Sequence, residues 1–583
     1  MRFQAHFVRA YILWACLLVT YLVGKLNRKV FCVCILSLLS IGDAVAQKAR
    51  VTSDGQGAVA SVDALATEIG IDIFTKGGNA IDAALATAFA LGVVDSHNSG
   101  IGGGCFIVVH LADGRVFAID GREMAPASAH RDMFLIDGKV VRDLSRTGAL
   151  AVGVPGSVAA LHHLQRLGGK LSFDSTLLPS ADLAEKGFVI GAVMAKRLQR
   201  SAKGIAQFPD TATVFFDAKG KPLKAGDLLI QKDLAATYRR MAKKGPKFFY
   251  RGSFARAVDK WMKANGGLIR RKDFKNYRVI DREPVKTVLG ENTIYGFGPP
   301  SSGGVHVAQI LNILEHFDLA VLSEADRYHL VIEAMKLAFA DRAHWVGDPD
   351  FVSVPKGLLS KAYAKRLASQ ISLKRVGMVT GHQIPPAAES DIFGKHTTHL
   401  VTADKQGNWV SITTTLNTSF GSKVMIPGTG VLMNNQMDDF SAQPGVPNAF
   451  GLVGSEANRV QSKKRPLSSM SPSIVVRDGK PILALGAAGG PTIISQVMQT
   501  LLNYLVLDMD LEHAMSAVRV HHQWKPDRVY IDGFASDSLR KALEARGHQL
   551  KNWPPFGATQ AIAFENGVFK PMAEPRLKLR EAH

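Results

Sequence analysis

With 583 residues, 46% hydrophobic and 21% charged, the chain can bury one large core or two to three ordinary ones, which excludes a disordered or fibrous protein. The formal net charge of +20 favours acidic partners, but Lys and Arg are scattered and no basic run carries interleaved aromatics. That balance reads as a solvated basic surface, not a nucleic-acid site.

Residues 11–24 and 30–41 are apolar runs separated by Lys25, Arg28 and Lys29. Each is shorter than the roughly 20 residues of a spanning helix. The second has a basic flank before it and Ala44-Val45-Ala46 after it, a small-x-small cleavage pattern. Residues 1–46 are therefore expected to be a secretory leader cut after Ala46, with export to a bacterial periplasm, or a membrane anchor if the leader is retained. Cys16, Cys32 and Cys34 fall in that leader, so Cys105 is alone in the mature chain and reads as a small buried residue.

In chain order, Val62 to Phe74 and Ala80 to Val93 read as helices, with Asn79 as N-cap of the second. Strands are expected at Phe106 to Leu111 and Val116 to Asp120, followed by a mostly helical stretch from about 150 to 290. Pro299 to Gly304 is a tight loop feeding a helix from Val305 to Glu315, and Ala325 to Arg342 reads as another helix. Periodicity disappears from 371 to 396, an irregular segment. Two hairpins follow. His399 to Ala403 and Asn408 to Thr415 flank one turn; Ser473 to Val476 and Pro481 to Leu485 flank Asp478-Gly479. Gly486 to Gly490 then runs into Pro491 and a helix reaching about Leu507. The order predicts layered α/β architecture with largely antiparallel sheets.

The stretch from His396 to Phe440 concentrates polar groups. Thr397, between an irregular segment and a strand, suits a cut that leaves Thr at a new N-terminus, where its own α-amine can serve as base for its hydroxyl. An isolated Thr pair is far more commonly plain strand. Alternation places Thr413, Thr415 and Asn417 on one face, either to orient a nucleophile and hold a polar head or to line a solvated sheet. Asp438 and Asp439, read as extended, face opposite ways, so one carboxylate enters a pocket and suits an ammonium group; a surface turn is the alternative. Gly489-Gly490-Pro491 at a helix start offers two N–H donors for an oxyanion, or a simple tight turn. Arg122 could fork a carboxylate, with Ser468 and Ser469 adding hydroxyls. The glycines at 100–104 follow a helix and precede a strand, the reverse of a nucleotide loop, and the pairs His162-His163 and His521-His522 lack metal-ligand spacing, so no metal is expected.

DGREMAPASAHRDMF at 120–134, PPSSGGVHVAQILNILE at 299–315, TTH at 397–399, TLNTSFG at 415–421, NNQMDDFSAQPGVPN at 434–448, RPLSSMSP at 465–472 and HHQW at 521–524 together resemble the γ-glutamyltransferase family. The resemblance runs from about Ala49 to the C-terminus. It implies the αββα sandwich of N-terminal-nucleophile hydrolases. It also implies a precursor cut between His396 and Thr397 into a large subunit, 47–396, and a small one, 397–583, that remain associated as a heterodimer.

By the same resemblance Thr397 is the nucleophile and Thr415 orients it. Asn417, Gln436 and Asp439 hold the substrate's α-amine; Arg122, Ser468 and Ser469 hold its α-carboxylate; Gly489 and Gly490 form the oxyanion hole. The implied donors are glutathione and other γ-glutamyl compounds, the implied acceptors water, amino acids or dipeptides, with no cofactor. In the lid-like segment from Pro444 to Ser455 relatives often carry Tyr where this chain has Phe450, which implies a looser gate. The nearest alternative is a cephalosporin or glutaryl acylase on the same fold; Asp439, suited to an amine, favours the γ-glutamyl reading.

Overall fold

The computed structural model describes residues 47–386, 399–553 and 557–577. The expected leader, the bond between His396 and Thr397, and Thr397 itself lie outside the described residues. Among the described residues no helix is long and apolar enough to cross a membrane.

Two antiparallel sheets form the centre. The seven-stranded sheet runs in the order Ala49–Val51, Gly57–Ala60, His399–Asp404, Trp409–Thr415, Gly104–His110, Val116–Gly121, Ile280–Arg282. The six-stranded sheet runs Val285–Leu289, Asn292–Gly296, Ser473–Arg477, Lys480–Gly486, Gln560–Glu565, Val568–Ala573. Strands from both sides of residue 397 pair within each sheet: Trp409–Thr415 with Gly104–His110 and His399–Asp404 with Gly57–Ala60 in the first, Asn292–Gly296 with Ser473–Arg477 in the second. The two expected subunits therefore form one fold.

Strand alternation explains why the layers stack. Val401, Ala403 and Trp409 point between the sheets, where they pack with Phe106, Phe297 and Ile474. Their neighbours Leu400, Val410 and Ile412 point the other way, into a core shared with helices such as Ala80–Val94 and Ser157–Gly168. A second helical core, including Gly303–Leu314, Glu324–Trp345 and Thr492–Leu505, covers the far face of the other sheet. The result is the expected αββα sandwich. Phe106 stacks on Phe297 across the sheets at 4.2 Å between ring centroids. Truncating such a core ring to Ala costs about 3–5 kcal/mol.

Local signals behave as their chemistry dictates. Asn79 caps Ala80–Val94 in a reciprocal capping box with Asp82. Asp478 and Gly479 both adopt positive φ, 49° and 74°, the requirement of the tight turn joining Ser473–Arg477 to Lys480–Gly486. The segment after 371 has no helix or strand as far as it is described, but it is docked. Gln383 N–H donates to Asp341 Oδ1 at 2.8 Å, and Trp345 Nε1 donates to the Gln383 carbonyl.

Candidate active site

Trp409–Thr415 delivers Thr415 to the floor of a cavity of about 1130 Å³. Its Oγ1 accepts the Asn417 N–H at 2.7 Å. The alternation expected to carry through to Asn417 stops at Thr415. Asn417 has φ of 80°, outside the strand, and its Nδ2 donates to the Asn435 carbonyl at 3.0 Å. Asn and Asp tolerate this left-handed conformation better than other non-glycine residues. Asn435 holds the turn with its own side chain, accepting the Thr418 N–H at 3.1 Å and donating to Thr418 Oγ1 at 2.8 Å.

The glycines before Cys105 make room for this turn. A Cβ on Gly103 would come to 1.8 Å from the Thr415 carbonyl oxygen, and one on Gly102 to 2.1 Å from that of Leu432. They are close-approach glycines, not a phosphate loop.

Gln436–Asp439 is a 3-10 turn, not the extended segment expected. The two carboxylates still diverge. Asp438 accepts from Ser145 Oγ at 2.5 Å and from the Ala449 N–H at 2.9 Å, which ties it to structure. Asp439 lines the cavity and accepts from Gln436 Nε2 at 2.7 Å and Arg122 Nη2 at 2.6 Å, all through Oδ2. Burial raises the Asp439 carboxyl above its ordinary range, opposed chiefly by the Arg122 charge.

Arg122 and Gln436 stand behind Asp439 and do not line the cavity. The Arg122 guanidinium is fully buried and fixed by Asp439 and the Pro466 carbonyl, with Glu123 at 3.5 Å. Burial pushes the Glu123 carboxyl up to about 7. The free carboxylate fork expected of Arg122 is thus occupied here by the chain's own Asp439.

Ser468 and Ser469 line the cavity beside Asp439. Arg342, from Glu324–Trp345, reaches the same corner, its Nε donating to Ser302 Oγ at 3.0 Å and its Nη2 to Ser469 Oγ at 3.3 Å. Sequence reading missed Arg342. Its only signal was a cation following Asp341 just after the short apolar run from Leu337 to Ala340.

The strand Lys480–Gly486 of the six-stranded sheet ends at Gly486, and the chain turns into Thr492–Leu505 through Gly489 (φ 136°), Gly490 (φ 60°) and Pro491. Both glycines line the cavity, and neither N–H has a hydrogen-bond partner among the described residues. Gln496 fixes the turn, its Nε2 donating to the Ala488 carbonyl at 3.0 Å while Oε1 accepts the Ala558 N–H at 2.9 Å. The Phe450 ring closes over Gly490, where a Cβ would meet it at 2.7 Å.

Hydroxyls, a carboxylate, a guanidinium and unpartnered N–H donors thus face one space. Residues 66–582 match the family described as gamma-glutamyltranspeptidase. The chain belongs to that family. It is 43% identical over 512 residues to the glutathione hydrolase proenzyme of Escherichia coli K12, covering 87% of this chain and 88% of that protein. Among solved structures it is similar to the cephalosporin acylase of Bacillus halodurans, with TM-score 0.80 and 27% identity over 92% of this chain and 96% of that one. It also matches a γ-glutamyltranspeptidase chain of Helicobacter pylori, with TM-score 0.52 and 40% identity, covering 56% of this chain and 93% of that one. As a γ-glutamyltranspeptidase-family member the chain is an enzyme of hydrolase and acyltransferase type with the N-terminal-nucleophile hydrolase fold.

Proposed function

We propose that this enzyme cleaves the γ-glutamyl amide of glutathione and related compounds through a γ-glutamyl ester on Thr397, passing the acyl group to water or to an amino acid or dipeptide. The observation carrying this is the convergence of Asp439, Ser468, Ser469, Gly489 and Gly490 on the cavity that Thr415 and Asn417 enter. A γ-glutamyl group needs those functions together: an anion for its ammonium, a cation and hydroxyls for its carboxylate, and donors for the oxyanion at its γ-carbon.

Maturation comes first. The Thr397 hydroxyl attacks the His396 carbonyl, the peptide bond migrates to an ester, and water opens that ester. This leaves a free Thr397 amine and a His396 carboxylate, in two chains that stay together. The word proenzyme in the name of the Escherichia coli relative supports this order. In turnover the Thr397 amine takes the hydroxyl proton as oxygen attacks the γ-carbonyl, and the proton leaves with the departing amine. Thr415 orients the hydroxyl, and the Gly489 and Gly490 N–H groups hold the oxyanion; one such donor is worth about 10²–10³ in kcat. These steps use only side chains and backbone. The leader 1–46 sends the enzyme out of the cytoplasm, to a periplasm, or anchors it if retained.

Incubation with glutathione and a dipeptide should release cysteinylglycine, glutamate and the γ-glutamyl dipeptide. Turnover of a glutaryl amide with none of glutathione would favour an acylase instead, a reading supported by the similarity to the Bacillus halodurans acylase.

A further inference from the structure

Arg197 is a cation of the cavity wall that none of the steps above uses. It stands half-buried on the helix Ala192–Ile205, where that helix meets the turn after Trp409–Thr415. Its Nη1 donates to Asn98 Oδ1 at 2.7 Å and to Ser419 Oγ at 3.1 Å. The Asn98 carbonyl accepts the Leu416 N–H at 2.8 Å, so the guanidinium is tied to the chain on both sides of Asn417. Nη1 has two hydrogens, and both go to neutral acceptors. Nε and Nη2 have no acceptor among the described residues. That open edge can grip a carboxylate through two parallel hydrogen bonds.

The charged groups around Arg197 leave this edge open. Burial lowers the Arg197 pKa, opposed chiefly by the charge of Asp95. Asp95 spends its Oδ1 on Asn98 Nδ2 at 2.8 Å and His97 Nε2 at 3.3 Å, and burial pushes its carboxyl up to about 7. Asp63 caps the helix Ala64–Thr75, while Lys48 and Arg200 add positive charge nearby. Val62, Leu65, Val193 and Met194 line the same cavity with apolar surface.

The donor's groups are matched elsewhere, its ammonium at Asp439, its carboxylate at Ser468 and Ser469, its γ-carbonyl at Gly489 and Gly490. What remains of a transfer reaction is the acceptor. Its amine forms the new amide at the γ-carbon, displaces the Thr397 oxygen and gives that oxygen a proton. Its carboxylate takes no part in the bond change and needs only a place to rest.

Resting on the γ-glutamyl reading of this site, we propose that the Nε–Nη2 edge of Arg197 binds the carboxylate of an amino acid or dipeptide acceptor, and so selects acceptors that carry one. The leaving peptide of a donor occupies the acceptor's place before it, so its carboxylate meets the same edge.

Glycylglycine and glycylglycinamide test this, because they present the same type of attacking amine and differ in the terminal carboxylate. With a γ-glutamyl anilide as donor, wild type should show an acceptor KM about 10-fold lower for glycylglycine, as expected for hydrogen bonds to a charged group. Arg197→Gln should raise the glycylglycine KM to that of the amide, and Arg197→Lys, which keeps the charge but loses the fork, should restore part of the preference. The ratio of the two KM values within one variant cancels any loss of active enzyme, so a merely structural role would leave it unmoved. Equal KM values in wild type, transfer to neither acceptor despite anilide hydrolysis, or an undiminished ratio in Arg197→Gln overturns the inference. Failure of the γ-glutamyl reading shows separately, as absence of anilide hydrolysis in wild type.

Discussion

Arg122 Nη2 lies 2.6 Å from Asp439 Oδ2, so the carboxylate suited to a substrate ammonium is held from behind by a fully buried guanidinium. The pair fixes the position of the Asp439 carboxylate before any ligand arrives, and it divides that charge between structure and binding.

Asp439→Asn removes the anion from both tasks. The KM for a γ-glutamyl anilide should rise at least ~30-fold, and the stranded Arg122 should cost about 3 kcal/mol of stability. Steady-state kinetics and denaturant unfolding check the two effects separately. A stability loss with unchanged KM would confine Asp439 to a structural role.

Gly490 sits at φ 60° under the Phe450 ring. Gly490→Ala should displace the turn and lower kcat by about 10²-fold through loss of one oxyanion donor. KM should change little, because the donor acts where charge develops in the transition state. Single-turnover acylation measures the effect, and an unchanged acylation rate would reduce Gly489-Gly490 to a turn.

The lid residue offers a third test. Phe450 covers Gly490 but has no phenol to bond Asn417, whose Nδ2 donates to the Asn435 carbonyl while its Oδ1 has no hydrogen-bond partner among the described residues. Phe450→Tyr adds one hydrogen bond, worth about 1 kcal/mol, and should raise the transfer-to-hydrolysis ratio by about fivefold. Product ratios with a dipeptide acceptor check it; an unchanged ratio counts against a gating role.

Burial lowers the His521 pKa to about 4, and its ring nitrogens pair with Ser495 Oγ and Gln523 Oε1. The unfolded chain binds this proton near pH 6.5 and the folded chain does not, so stability is full above that pH and falls as pH drops toward 4. This group alone should remove about 2 kcal/mol between pH 7 and pH 5. His521→Gln should flatten that part of the profile by the same amount in denaturant titrations, whatever its stability at pH 7.

Where the sequence carried short-range rules, it was readable. Asp478-Gly479 announced its hairpin, Asn79 its helix, and Gly489-Gly490-Pro491 the turn before Thr492–Leu505, because each depends on a few neighbouring dihedrals. Long-range partnerships were not. Nothing near Arg122 says that Asp439, 317 residues away, will neutralise it. Nor does anything in the run from Ala338 to Arg342 say that this arginine reaches Ser469. Asn417 misled for a local reason: its left-handed backbone breaks the period-2 pattern from which its direction was read. Gln436–Asp439 misled similarly, since three polar residues around one methionine carry no periodicity to separate a 3-10 turn from a strand.

Denaturing electrophoresis with mass determination, on wild type and Thr397→Ala, tests the Thr397 nucleophile most directly. Wild type should resolve into two chains separated between His396 and Thr397 and should turn over a γ-glutamyl anilide; Thr397→Ala should stay one chain and be inactive. An uncut wild type that is nonetheless active, or a Thr397→Ala protein cut at the same bond, would contradict it.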